Sequence, residues 1–78
     1  MTAYTPLQGQ YLAFIYCSTK INGRPPAEVD LQRYFDVTPS TVHQMVLALE
    51  RKGLVSRRPG QARSIQVLLP PEQIPPLV

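Results

Sequence analysis

Between Val37 and Val55 the chain spells out a helix with both ends marked. Thr38 offers a side-chain oxygen to an N–H of the first turn. Pro39 suits the first helical position, where its missing N–H costs nothing. Val42, Met45, Val46 and Leu49 recur at helical spacing and make one apolar stripe. Arg51 and Lys52 fall in the last turn, where cations suit the helix dipole, and Gly53 supplies the left-handed residue that ends it. Outside the stripe stand Ser40, Thr41, His43, Gln44 and Leu47. Four of these five are polar, and they crowd the N-terminal half of the helix. The core has no use for them.

Two further helices are expected upstream. Thr5-Pro6 repeats the Thr-Pro start and opens a helix with apolar positions Leu7, Tyr11, Leu12, Phe14 and Ile15, which fades before the turn pair Asn22-Gly23. Arg24-Pro25-Pro26 enforces extended backbone, because a residue before proline avoids the helical region. A second helix runs from about Ala27 to Phe35, with Val29, Leu31, Tyr34 and Phe35 as core contacts. Asp36 is the residue expected to leave that helix, since Asp tolerates a left-handed conformation. Only Asp36 and Val37 then precede Thr38, so helices two and three are joined by a tight turn. The expected core is Leu7, Phe14, Ile15, Leu31, Phe35, Val42, Val46 and Leu49.

After Gly53 the period changes. Leu54 to Arg58 and Arg63 to Leu69 read as strands, with Pro59-Gly60 as the centre of a type II turn between them. Such a hairpin is marginal alone and must pack on the helices. Residues 70–78 hold four prolines and read as an extended, polyproline-like tail beside a single unit at 1–69. The fold class is mainly α with a small β-hairpin.

At 78 residues there is little room for an enclosed active site. One Cys (Cys17) and one His (His43) support neither a disulfide, nor a Cys/His metal site, nor a Cys–His catalytic pair. No cofactor, metal or small-molecule ligand is expected, and no enzyme activity. No apolar run approaches a membrane span, and a reducing, cytoplasmic, nucleoid-associated setting is expected. The net charge is only +3, yet Arg51, Lys52, Arg57, Arg58 and Arg63 fall together in a stretch without an acid. A basic cluster beside a polar helix start is the footprint of a polyanion binder, and double-stranded DNA is the partner expected.

The order α–α–α–β–β from Thr5 to about Leu69 resembles the N-terminal DNA-binding domain of LexA-type repressors, a winged helix-turn-helix. The resemblance is carried by Asn22-Gly23-Arg24-Pro25-Pro26, by Thr38-Pro39-Ser40-Thr41-Val42 and by Ala48-Leu49-Glu50-Arg51-Lys52-Gly53-Leu54. It implies a sequence-specific regulator whose recognition helix, 38–52, enters the major groove while the wing, 54–69, follows the backbone. By the same resemblance Ser40, Thr41, His43 and Gln44 face bases and Thr38 lies near a phosphate. Arg57, Arg58, Gln61 and Arg63 of the wing lie along the backbone or a minor groove, and Lys52 joins that basic set. Positions 43 and 44 are His and Gln where the family pattern is often acidic, so the family's operator is not carried over. The family's C-terminal part, with its self-cleavage site, Ser/Lys pair and dimer interface, has no counterpart in these residues, and neither does its activity.

Gln44 is the strongest expectation for direct readout, because its amide pairs bidentately with adenine. The arginines are expected to supply affinity and position without sequence information. The competing class is a protein-docking module that uses an outward Leu47 and the apolar tail residues Ile74, Leu77 and Val78. A homodimer formed through helix one, Leu68-Leu69 and the tail is expected on a pseudo-palindromic target.

Overall fold

The computed structural model describes residues 4–78; the first three residues of the expected 1–69 unit lie outside them. Three helices come first: α1 (Pro6–Asn22), α2 (Glu28–Phe35) and α3 (Pro39–Arg51). A short antiparallel pair, β1 (Val55–Ser56) and β2 (Gln66–Val67), follows, and then a single 3-10 turn at Pro71–Gln73.

The starts are built as the sequence requires. Thr5 accepts the N–H of Gln8, whose side chain returns the favour by accepting the N–H of Thr5. Two orphan donors are satisfied by one reciprocal pair. At α2 the cap position is Ala27, so the burden shifts to Asp30, which accepts the Ala27 N–H at 2.9 Å. Thr38 accepts from the N–H of Thr41 at the head of α3.

The ends set the angles between elements. Asp36 leaves α2 at φ 55°, in the left-handed region, and the Val37 N–H closes onto the Gln32 carbonyl. At the end of α3, Gly53 has φ 75°, its N–H reaches the Glu50 carbonyl, and the Leu54 N–H reaches the Leu49 carbonyl. This double closure is a Schellman motif, and its apolar contact is supplied by Leu49 and Leu54, both buried. The chain is thereby thrown from α3 directly into the wing.

The core is formed by Tyr11, Leu12 and Ile15 of α1, Leu31 of α2, Val42, Val46 and Leu49 of α3, and Leu54, Val55 and Ile65 of the wing. Phe35 stacks flat on Tyr11, ring centroids 4.0 Å apart, and Phe14 meets Tyr34 at 4.4 Å. These ring pairs hold α1 and α2 apart by the thickness of their side chains. Five expected core residues depart from that role, Phe35 among them because it is only partly buried. Leu7 is 56% exposed because the packing against α1 begins one turn later. Val29, about half a helical turn away from buried Leu31, is forced outward, and Tyr34 keeps one edge in solvent beyond Phe14. Phe14 itself is partly covered.

The hairpin is shorter than expected. Its ladder pairs Val55 with Val67 and Ser56 with Gln66, extended only by the Leu68 N–H to the Leu54 carbonyl. Beyond Ser56 a side chain replaces the ladder: Ser64 Oγ accepts the Arg58 N–H at 2.9 Å and lies 3.0 Å from the Gln61 carbonyl. Serine competes with backbone pairing in this way wherever a loop lets it. The expected turn is present, with Gly60 at φ 82° and the Gln61 N–H on the Arg58 carbonyl.

Residues 70–78 do not run free as an extended tail. Tyr4 donates its hydroxyl to the Gln73 carbonyl, Gln10 donates to the Pro76 carbonyl, and the Val78 N–H returns to Gln10. Gly9, without a side chain, lets the Tyr4 ring and Pro75 close over α1. The segment is a strap along the first helix.

Candidate nucleic-acid interface

α3 displays Ser40, Thr41, His43 and Gln44 as exposed residues. They are not equally free. Thr38 is committed to its cap, and its hydroxyl oxygen lies 2.9 Å from that of Thr41, which is drawn into the same cluster. His43 Nδ1 sits 3.3 Å from Glu28 Oε2 at the start of α2. Ser40 and Gln44 make no side-chain hydrogen bond among the described residues, so their donors and acceptors face solvent. Leu47, expected to point outward, is half-buried.

The basic residues fall into tethered and free groups. Arg57 Nε lies 3.3 Å from Glu50 Oε1, and Arg63 donates to Asp30 at 2.8 Å. Lys52 Nζ donates to Gln8 Oε1 at 2.8 Å and so links the end of α3 to the start of α1. Arg58 and Gln61 project at the tip of the wing with no side-chain partner among the described residues. Sequence reasoning missed the tethering groups Gln8, Glu28, Asp30 and Glu50. All four contacts join different parts of the fold, so no helical spacing announces them.

Asp30 is the most connected of these acids. The Ala27 N–H above all holds its carboxyl below the usual 3.8; burial, next in size, opposes it, and the Arg63 hydrogen bond and the charges of Arg63 and Arg33 lower it further. Ionisation is therefore easier in the folded chain than in the unfolded one. The resulting stability is complete above pH 3.8 and is lost as pH falls through the lower folded value. Asp30→Asn is expected to remove this part of the acid limb. Urea midpoints measured between about pH 2 and pH 6 check it: the variant's profile should be flatter than the parent's. Identical profiles would mean that Asp30 titrates alike in both states.

A three-helix core, a helix-turn-helix pair with an exposed polar second member, and a basic hairpin beside it define a winged helix-turn-helix protein. Residues 1–64 match the LexA DNA binding domain, and the chain belongs to that family. It is 38% identical over 74 residues to the LexA repressor of Thermosipho africanus (strain TCF52B). It is 36% identical over 74 residues to the LexA repressor of Thermosipho melanesiensis (strain DSM 12029 / CIP 104789 / BI429). Each alignment covers 95% of this chain and 37% of the relative, so the chain spans little more than a third of the length of these curated relatives.

Proposed function

We propose that the chain binds duplex DNA in a sequence-specific manner as a transcriptional regulator and not as an enzyme. In this reading α3 lies in the major groove and the β1–β2 wing follows the backbone. The observation that carries the reading is the pairing of free polar groups at the start of α3 (Ser40, Gln44) with a free guanidinium, Arg58, at the wing tip. Gln44 and Ser40 read base edges, with His43 and Thr41 beside them. Thr38 and Lys52 approach phosphates, and Arg57, Arg58, Gln61 and Arg63 follow the backbone. The docking-module alternative is less well supported, because Leu47 is half-buried and Ile74 and Leu77 are partly covered, which leaves Val78 as the one exposed residue of its four.

A salt titration of DNA affinity tests the reading. Binding should fall steeply with salt, and Arg58→Ala should flatten the slope by up to about 0.9 on all sequences alike. Arg57→Ala should flatten it less, because Arg57 already has Glu50 as a partner. Absence of salt-dependent DNA binding would end the proposal.

We also propose that two copies pair on a pseudo-palindromic site. Leu7, Leu68 and Val78 are exposed apolar residues, and their exposure supports pairing. Sedimentation on DNA at tens of micromolar checks it; a monomer throughout would reject the pair.

A further inference from the structure

A groove of about 720 Å³ runs between the C-terminal half of α1 and α2, and no residue of α3 lines it. Phe14, Ser18 and Asn22, spaced by four, form one wall. Asp30, Arg33 and Tyr34 on one face of α2 form the other, Arg24 closes one end, and Arg63 reaches in from the wing. The groove exists because the Phe14–Tyr34 and Tyr11–Phe35 ring pairs space the two helices.

We propose that this groove binds a small ring-bearing phosphate, of the aryl phosphate or nucleoside phosphate class. The charge supports it: three guanidinium groups surround a single carboxylate. That carboxylate, Asp30, is already engaged by the Ala27 N–H and by Arg63. Arg24 and Arg33 have no acidic partner within salt-bridge distance among the described residues. Two unpaired guanidinium groups in one groove suit a dianion with several acceptor oxygens better than a carboxylate with two. The apolar end supports the ring. Tyr34 rests on Phe14 yet remains 46% exposed, leaving aromatic surface open for a second ring. Ser18 and Asn22 lie between the two ends with uncommitted hydrogen-bonding groups.

The proposal does not depend on the DNA-binding reading, because its test contains no DNA. Phenyl phosphate is titrated into the full chain while side-chain resonances are followed by NMR. Saturable shifts are expected at the Phe14 and Tyr34 rings and at the Arg33 guanidinium. Inorganic phosphate, lacking the ring, and benzoate, lacking the dianion, should each bind on the order of tenfold more weakly. Adenosine monophosphate against phenyl phosphate distinguishes the nucleoside from the plain aryl source. Arg33→Gln should weaken phenyl phosphate on the order of tenfold, and Arg24→Gln comparably, with the thermal midpoint reporting that each variant is folded. Arg51→Gln, an exposed charge outside the groove, should leave binding unchanged. No saturation by about 10 mM overturns the proposal, as do equal binding of benzoate or equal losses in Arg51→Gln. If Arg33→Gln weakens only duplex DNA and phenyl phosphate never binds, the groove holds a flanking strand and the proposal fails.

Discussion

Leu49→Ala should destabilise the domain by about 2–5 kcal/mol. Leu49 is fully buried and serves two structures at once. Its side chain belongs to the stripe that faces Leu31 and the other core residues, and it also forms the apolar half of the Schellman closure with Leu54. Truncation therefore leaves a cavity and loosens the joint that aims the wing. Small domains hold about 5–15 kcal/mol in total, so the variant would be marginal at best. Urea unfolding measures the loss, and Leu7→Ala is the control. Leu7 is 56% exposed and should cost less than about 0.5 kcal/mol. Equal losses at the two positions would contradict the packing.

The second large effect concerns discrimination. Gln44→Ala should lose about 1–3 kcal/mol on the preferred site, roughly 5- to 150-fold, while affinity for random duplex stays nearly unchanged. The reasoning is geometric. Gln44 is exposed near the start of α3 and spends none of its amide groups within the described residues, so truncation harms nothing in the fold. Competition binding with a selected site and with random duplex separates the two quantities. A proportional loss on both would make Gln44 a general contact, and no loss on either would make it a bystander.

Much of this architecture was legible because the chain marks its own boundaries. Thr5-Pro6 and Thr38-Pro39 open helices, Gly53 closes one, and Asp36 takes the left-handed position that its short side chain tolerates. These are local effects, and local effects are written in adjacent residues. The errors came where the answer depends on what lies across a gap. The first helix is apolar on most sides, so its stripe alone could not say that Tyr11, Leu12 and Ile15 are covered and Leu7 is not. Ser64 shortened the hairpin through a contact six residues away in the loop. The strap over Gly9 depends on a hydroxyl from Tyr4 meeting a carbonyl at Gln73. In the candidate interface the side chains themselves were legible, but not their partners, because Glu28 and Asp30 belong to a different element from the groups they hold, α3 for His43 and the wing for Arg63.

Those partners change what approaching DNA involves. Arg57 and Arg63 do not wait as loose charges; each already has a carboxylate, from Glu50 and Asp30 respectively. On the proposed DNA-binding reading, each must trade one anion for another to grip a phosphate, and the abandoned carboxylate is left facing the polyanion. Such a trade returns fewer counterions to solvent than a fresh contact does. If the wing follows the backbone as proposed, a random stretch of duplex gains little by breaking the tethers, and Arg58, with no acid to give up, is expected to be the wing's principal grip on it. Only a sequence that also satisfies the groups on α3 would then hold the domain long enough for both exchanges to go through. In that reading the internal ion pairs act as a latch against lingering at wrong addresses, letting the domain move on quickly from most of the DNA it meets.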